Sequence, residues 1–254
     1  MFELRPDRAN GVFETLLIID GSPIELEAHL ERLSRSVREL FGGEPPAGTR
    51  QLVLDGASPV AVGRLRLTLA PGPAGVLTAD TLTASVDPED VFPSWERAII
   101  LHPLVVPGGL GAHKWADRAG LAAAESSASK GCLPLLLDVD GEVLEASRAN
   151  VFAVEGEVLI TPAADGRILP GVARARAIEA ARSLGIDLRE EALTIEELIG
   201  AGEAFVTGSV RGVEPVRSIG EAELAAPGET VSEIAAEMRA SWIGTGATRW
   251  VRAR

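Results

Sequence analysis

The chain has 254 residues, 46% hydrophobic and 24% charged, with a formal net charge of −13. That length allows one large domain or two small ones, and the composition excludes a disordered chain. The negative charge opposes nonspecific binding to nucleic acid or to an anionic membrane, so an anionic ligand has to be held by particular arginines.

Val12-Phe13-Glu14-Thr15-Leu16-Leu17-Ile18-Ile19 is predicted to be a strand, rich in large and β-branched residues. Asp20-Gly21-Ser22-Pro23 turns it into a return strand, Ile24-Glu25-Leu26. A helix follows over Glu27 to Phe41, with Leu30, Leu33, Val37, Leu40 and Phe41 on one stripe and Gly42-Gly43 as its stop. His29, Arg32 and Ser36 lie along a polar edge beside that stripe, and spacing alone makes Arg32 a solvated helix-face residue. Residues 44–62 are punctuated by Pro and Gly, with a weak helical patch from Arg50 to Asp55. Arg64 to Leu69 alternates as a half-buried strand should. Val76 to Val86 and Arg97 to His102 read as further strands, which makes the N-terminal part a small antiparallel sheet with one or two helices.

Pro107-Gly108-Gly109-Leu110-Gly111 is the best domain boundary. It divides the chain into an N-terminal α/β domain (1–106), a linker (107–111) and a larger C-terminal domain (112–254). In the second part, a helix is expected from Ala116 to Ser129, with Leu121 and Ala124 inward. Leu133 to Asp138 is a buried strand that turns at Asp140-Gly141 into Glu142-Val143-Leu144-Glu145. Val151 to Val154 and Val158 to Ile160 form a hairpin about Glu155-Gly156. Leu169-Pro170-Gly171-Val172-Ala173-Arg174 opens a helix that runs to Leu184, with Gly185 as its stop. Thr194-Ile195-Glu196-Glu197 and Thr230-Val231-Ser232-Glu233 are two capping boxes, each opening a helix, and the second helix ends near Gly244. Between them, Ala204 to Thr207 is a strand leading into Gly208-Ser209-Val210-Arg211-Gly212.

No apolar run approaches a membrane span, and the segment from Met1 to Arg8 lacks the basic start and apolar core of a signal peptide. Cys132, the single cysteine, precedes an apolar run and reads as packing. A cytoplasmic protein is the expectation. His29, His102 and His113 are too scattered for a structural zinc site, so no metal is expected. There is no dinucleotide fingerprint, Walker loop or nucleophile elbow.

Of the 24 Lys and Arg residues, only Lys114 and Lys130 are lysine. A lysine kept in an arginine-rich chain is a candidate for chemistry that a guanidinium cannot perform. A buried amine can lose its proton and attack a carbonyl, as in a Schiff base to an aldehyde cofactor. The competing reading is a surface lysine that escaped replacement. Pro170-Gly171-Val172 at a helix start offers unpaired N–H groups and a positive dipole end to a phosphate. Thr207-Gly208-Ser209 offers hydroxyls and N–H groups in a turn, a second anion cradle. Glu145 ends a strand, and on its own reads as a solvated partner of Arg148. A phosphorylated aldehyde cofactor needs a lysine, a carboxylate for its ring nitrogen, and N–H and hydroxyl groups for its phosphate. Lys114, Glu145, Val172 and Ser209 supply these in chain order.

From about Gly11 to Val216 the sequence resembles the class IV, fold-type IV, pyridoxal phosphate (PLP) family. That family holds branched-chain aminotransferases, D-amino-acid aminotransferases and 4-amino-4-deoxychorismate lyases. The resemblance is carried by Gly11-Val12-Phe13-Glu14-Thr15, Ala28-His29-Leu30-Glu31-Arg32-Leu33, the flanks of Lys114, and the run from Glu145 to Phe152. Thr161-Pro162, Leu169 to Arg174, Thr207-Gly208-Ser209 and Pro215-Val216 complete it. It implies a two-domain α+β or α/β fold of the D-amino-acid aminotransferase type, with pyridoxal 5′-phosphate as cofactor. It implies a homodimer, the cofactor lying in a cleft between domains. Arg32 becomes a phosphate ligand, Lys114 the Schiff-base residue and acid–base, and Glu145 the partner of the pyridine nitrogen. Val172 and Ala173 become backbone donors to phosphate, although many relatives have a Thr hydroxyl where this chain has Ala173. Ser209 stands where many have Thr.

Within the family, Lys114-Trp115-Ala116-Asp117-Arg118 is similar to a Lys-x-x-Asn-Arg run of the lyases. Aminotransferases commonly add a Tyr there, and this chain has no tyrosine. Ser209-Val210-Arg211-Gly212 is similar to the Ser-Leu-Arg-Gly of lyase-like relatives. Arg118, Arg211 and Thr207 are then expected at an anionic substrate. Arg118 and Arg211 have structural salt bridges as their competing reading. The resemblance thus implies conversion of 4-amino-4-deoxychorismate to 4-aminobenzoate and pyruvate, a step of folate biosynthesis. Transamination of a branched-chain or D-amino acid is the alternative.

Overall fold

The structure, a computed structural model, describes residues 6–127 and 132–244. Met1–Arg5 and the expected helix end at 128–129 lie outside the described residues. The backbone divides into two compact units, Met1–Pro88 with His113–Ala119, and Glu89–Ala112 with Gly120–Arg254.

The smaller unit is built on an antiparallel sheet of order β2-β1-β3-β4. Its elements are β1 (Val12–Ile19), β2 (Ser22–Pro23), α1 (Leu26–Phe41), α2 (Thr49–Ala57), β3 (Val62–Pro71) and β4 (Leu77–Ser85). Ile19 pairs with Ser22, leaving Asp20 and Gly21 as a two-residue loop with both φ positive. That turn matches the twist of the strands it joins. Along β3, Leu65, Leu67 and Leu69 face the core, while Arg64, Arg66 and Thr68 face the other way. Leu33 and Val37 of α1 pack on this inner face with Val12, Leu16 and Ile18 of β1. Gly42 closes α1 in the left-handed conformation.

The larger unit holds β5 (Ile99–Val105), α3 (Ala119–Ser127), β6 (Cys132–Leu137), β7 (Val143–Ala146), β8 (Asn150–Glu155) and β9 (Val158–Thr161). These are followed by α4 (Val172–Leu184), β10 (Asp187–Glu190), α5 (Ile195–Gly200), β11 (Glu203–Gly208), β12 (Gly212–Ile219), β13 (Ala222–Glu223) and α6 (Glu229–Ile243). Eight strands run β10-β9-β8-β11-β12-β5-β6-β7, with β13 beside β12. β5 lies parallel to both β12 and β6. Strands in such a position read as apolar runs, and five of the six residues of β6 are buried.

Two expectations are corrected here. The predicted domains, 1–106 and 112–254, divide at the glycines, but the chain does not. β5 belongs to the larger sheet because its backbone pairs with β12 and β6, and His113–Ala119 belongs to the smaller unit because it pairs with β1. Ladder pairing between distant segments outranks local punctuation. The Thr230 capping box does not form either. α6 begins two residues earlier, with Gly228 in place of Thr230 as its N-cap, and the Gly228 N–H donates to Glu203 Oε2 at 2.6 Å. The Thr194 capping box forms as expected, with both reciprocal bonds to Glu197. No helix among the described residues is long and apolar enough to cross a membrane.

Candidate functional site

In the smaller unit, Lys114 sits on a short segment strapped along β1. The Phe13 N–H donates to the Lys114 carbonyl at 2.9 Å, and the Ala116 N–H donates to the Gly11 carbonyl at 3.0 Å. Val12 and Trp115 form an antiparallel bridge between them. Gly11 itself lies hard against β3. Its φ is +78°, and a Cβ there would stand 1.9 Å from the Leu69 carbonyl oxygen. The segment is also tied to α1, through His113 Nδ1 and Ser36 Oγ at 3.1 Å. The half-buried Lys114 side chain brings its Nζ to 4.9 Å from the centroid of the Phe13 ring.

The polar edge of α1 is buried, contrary to the solvated position that spacing alone gives Arg32. His29, Arg32 and Ser36 are each less than a tenth exposed. The reason is Glu14, a carboxylate inside the apolar run of β1. Its Oε1 accepts from Arg32 Nε at 2.8 Å, and its Oε2 accepts from Arg32 Nη2 at 2.5 Å and from His29 Nδ1 at 2.7 Å. Burial by itself would raise the Glu14 carboxyl, but the Arg32 guanidinium and the two side-chain hydrogen bonds outweigh it and hold the group at about 2. Burial also lowers His29, and the cations Arg32 and Lys114 push the same way against the pull of Glu14. The His29 ring is therefore neutral at pH 7, with its hydrogen on Nδ1, since an ionised carboxylate can only accept. Glu14 was invisible as a functional group in the sequence beyond its place in a motif. The available signal was a lone acid in a strand buried on both faces, which requires a cation partner.

The larger unit gathers a second set. Glu145, on β7, is buried. Its Oε2 accepts from the Leu169 N–H at 3.3 Å and from Asn150 Nδ2 at 3.4 Å. Asn150 Nδ2 also donates to the Leu169 carbonyl at 2.9 Å, tying Glu145 to the loop before α4. Gly171 is the N-cap of α4, and no side chain caps the helix. A Cβ on Gly171 would lie 2.0 Å from Asn150 Oδ1, so only glycine lets the helix start approach this amide. Val172 and Ala173, both buried, form the first turn, whose N–H groups have no partner within the helix. α4 packs on β11, where Thr207 pairs in register with Asn150 of β8. The Thr207 hydroxyl is buried without a hydrogen-bond partner. Ser209 follows on the half-buried β11–β12 turn. Asn150 is the residue sequence reasoning passed over, because nothing local marks it as the link between Glu145 and α4.

The expected substrate arginines are placed differently from each other. Arg118, half-buried, belongs to the smaller unit beside Asp117, whose carboxylate accepts from the Asp7 and Ala119 N–H groups. Arg211, in the larger unit, is paired with acids. Its Nε and Nη2 bond Glu214 Oε1 at 2.7 and 2.6 Å, and its Nη1 lies 3.0 Å from Asp90 Oδ1. Burial raises the Glu214 carboxyl, against the pull of Arg211. Of the predicted residues, Arg32, Lys114 and Arg118 thus fall in the smaller unit, and Glu145, Val172, Ala173, Thr207, Ser209 and Arg211 in the larger.

A family model described as amino-transferase class IV matches residues 11–219. The chain belongs to the class IV aminotransferases. It is 40% identical over 85 residues to the branched-chain-amino-acid aminotransferase of Escherichia coli strain K12, covering 34% of this chain and 28% of that protein. The chain matches less than a third of the length of the curated relatives it resembles. Solved structures match almost end to end. The 4-amino-4-deoxychorismate lyase of Pseudomonas aeruginosa has a TM-score of 0.76 and 25% identity, covering 94% of each chain. A hypothetical aminotransferase of Mycobacterium tuberculosis, in its PLP-bound form, has a TM-score of 0.80 and 25% identity, covering 93% of this chain and 90% of that one.

Class IV aminotransferases use pyridoxal 5′-phosphate. The larger unit fits this group on its own terms. It offers a buried carboxylate to a ring nitrogen, and an uncapped helix start beside a lone buried hydroxyl to a phosphate.

Proposed function

We propose that this chain is a pyridoxal-phosphate-dependent lyase that converts 4-amino-4-deoxychorismate to 4-aminobenzoate and pyruvate. The cofactor reading is supported by the open polar set around Glu145, Thr207 and the start of α4. The choice of the lyase branch rests on one observation: the chain has no tyrosine, so its Lys114-Trp115-Ala116-Asp117-Arg118 run lacks the Tyr common among aminotransferases.

In this reading the Val172 and Ala173 N–H groups, the Thr207 and Ser209 hydroxyls and the Arg32 guanidinium hold the phosphate. Glu145 keeps the ring nitrogen protonated. When bound, the cofactor supplies an electron sink for the pair left as a proton departs the carbon bearing the amino group. Lys114 would hold the cofactor through its amine until the substrate amino group displaces it, and the freed amine would then take that proton. Loss of the enolpyruvyl oxygen as pyruvate leaves an aromatic ring, so no second amino acceptor is consumed. Arg118 and Arg211 orient the substrate carboxylates, and a carboxylate reaches Arg211 by displacing Asp90. A homodimer and a cytoplasmic setting belong to the same reading.

The second reading is transamination of a branched-chain or D-amino acid, supported by the 40% identity to the E. coli aminotransferase. The test is to supply aminodeoxychorismate with no keto acid present. Release of pyruvate and 4-aminobenzoate over many turnovers supports the lyase. A single turnover that resumes only when a keto acid is added overturns it in favour of transamination.

A further inference from the structure

Within the larger unit, Arg211 holds two carboxylates on different terms. Glu214 Oε1 takes both its Nε and its Nη2, at 2.7 and 2.6 Å, and the Glu214 side chain is only 6% exposed. Pulling those two groups apart would strand a buried charge. Asp90 meets the guanidinium at Nη1, through Oδ1 at 3.0 Å, and its side chain is 34% exposed. The same Oδ1 accepts from Arg97 Nη1 at 2.8 Å. One carboxylate oxygen is thus shared between two guanidiniums. When it leaves Arg211, Arg97 and water still satisfy it, so the parting costs no more than one partly exposed ion pair.

The segment that carries Asp90 is fastened separately. The Phe92 N–H donates to the Arg211 carbonyl at 2.9 Å, and the Phe92 ring packs against Gly212, where a Cβ would stand 2.5 Å from it. The ring also meets Trp242 of α6 edge-on, with centroids 5.4 Å apart. Phe92 has a φ of +53°, a left-handed conformation that is costly for a bulky residue and persists where surrounding contacts over-determine it. Farther along, Arg217 Nη2 donates to the Trp95 carbonyl, and the Arg217 guanidinium lies over the Trp95 ring. Asp90 can therefore turn from Arg211 as a side chain alone, with its backbone held in place.

We propose that Asp90 is a displaceable internal ligand of Arg211: its carboxylate occupies Nη1 in the free protein and passes wholly to Arg97 when a ligand carboxylate takes that nitrogen. The inference rests on the substrate-binding role proposed for Arg211, and it says how that role is regulated. At Arg211 one charge replaces another, so an anionic group makes the exchange. A neutral group gives Arg211 less than Asp90 does, and it leaves the pair closed. The same contact limits how tightly an anion is held, and its return speeds the departure of an anionic product.

The probe is 4-aminobenzoate, the product of the proposed reaction, with neutral 4-aminobenzamide as its control. Each is titrated by calorimetry into the full chain with pyridoxal phosphate present. Asp90→Asn should tighten 4-aminobenzoate by about 3- to 5-fold, the worth of one partly exposed ion pair, and 4-aminobenzamide by less than about 2-fold. Arg97→Met takes away the guanidinium that receives Asp90, and should weaken 4-aminobenzoate by about 3-fold. In the Asp90→Asn background the same Arg97→Met change should have almost no effect, since there is no carboxylate left to receive. A folded Asp90→Asn that binds 4-aminobenzoate no more tightly than the parent overturns the proposal, as does an equal gain for the amide. So does an equal Arg97→Met loss in both backgrounds, which would mark only the general field of the lost charge. Arg211→Met separates this result from the role of Arg211 itself. If that variant loses about 10-fold or more in affinity while Asp90→Asn changes nothing, Arg211 keeps its role and Asp90 loses its own. If Arg211→Met binds 4-aminobenzoate as the parent does, or the parent does not bind it, both readings fall.

Discussion

Two buried polar sets stand against apolar packing in this protein, and they are finished to different degrees. In the smaller unit, Glu14 is saturated: three donors from Arg32 and His29 reach its two oxygens within 2.8 Å. In the larger unit, the hydrogen bonds to Glu145 from Leu169 and Asn150 are 3.3 and 3.4 Å, α4 has no side-chain cap, and the buried Thr207 hydroxyl has no hydrogen-bond partner among the described residues. A buried polar group without a partner costs about 1–3 kcal/mol. Folding tolerates such a cost where something else completes the site. On the proposed function, the Glu14 set fixes the direction of side chains, and the start of α4 with Thr207 takes the phosphate.

The largest expected effect tests whether Lys114 serves the proposed cofactor. Lys114→Ala should abolish visible absorbance with pyridoxal phosphate and lower turnover by roughly 10³-fold or more, as loss of a covalent and acid–base group does. Retention of full activity would end the cofactor reading altogether. The next effect is on stability and belongs to the closed set. Glu14→Ala removes the carboxylate that Arg32 and His29 both bond, and should cost about 3–5 kcal/mol in urea unfolding. The acid limb carries the same information. Glu14 in the folded chain titrates at about 2, below its usual 4.5. Its contribution, on the order of 3 kcal/mol, is therefore present above about pH 4.5 and lost as pH falls toward 2. Wild-type protein should lose stability steeply over that window, and Glu14→Gln should lose distinctly less. Parallel acid limbs in the two proteins would show that Glu14 is not the closed charge described here.

The same contrast explains what was legible in the sequence. Local signals succeeded where local physics decides. Alternation in β3, the apolar stripe of α1, the Thr194 capping box and the Gly185 stop all appear where they were expected. The misreadings share a different origin. β5 was grouped with the N-terminal sheet because its partners, β12 and β6, are distant in sequence. Spacing alone makes Arg32 a solvated residue because its partner, Glu14, comes from another segment. The Thr230 box is absent because the helix starts behind Gly228, which Glu203, distant in sequence, holds through its N–H. Pattern within one element cannot show what another element brings to it. The reactive roles proposed for Lys114 and Glu145 rest on the ordered resemblance of motifs, and Asn150, which joins Glu145 to the start of α4, carries no local mark of that contact.

A smaller effect is expected at Glu145. Glu145→Gln keeps the shape and the bonds from Leu169 and Asn150 but removes the charge. Turnover should fall by about 10²-fold, while affinity for pyridoxal phosphate, read by fluorescence titration, changes little. An equal loss in affinity and turnover would mean that the carboxylate merely holds the loop before α4.

The smallest effect discriminates most sharply between the two sets. Thr207→Val is nearly isosteric and deletes a hydroxyl that has no partner in the protein. Were Thr207 part of a finished network, its removal would destabilise the chain by about 1 kcal/mol or more. In an open set the opposite holds, because the deletion removes an unmet desolvation cost. The cofactor-free variant should therefore unfold at the same urea concentration as the parent, or slightly higher. The loss should appear only when a phosphate is present: affinity for pyridoxal phosphate should drop by about 5- to 10-fold, matching one hydrogen bond to a charged acceptor. Stabilisation of the parent by saturating inorganic phosphate should shrink in the variant for the same reason. A Thr207→Val chain that is destabilised without ligand, yet binds pyridoxal phosphate as the parent does, would place Thr207 with Glu14 among the closed structural groups and leave the start of α4 without its proposed partner.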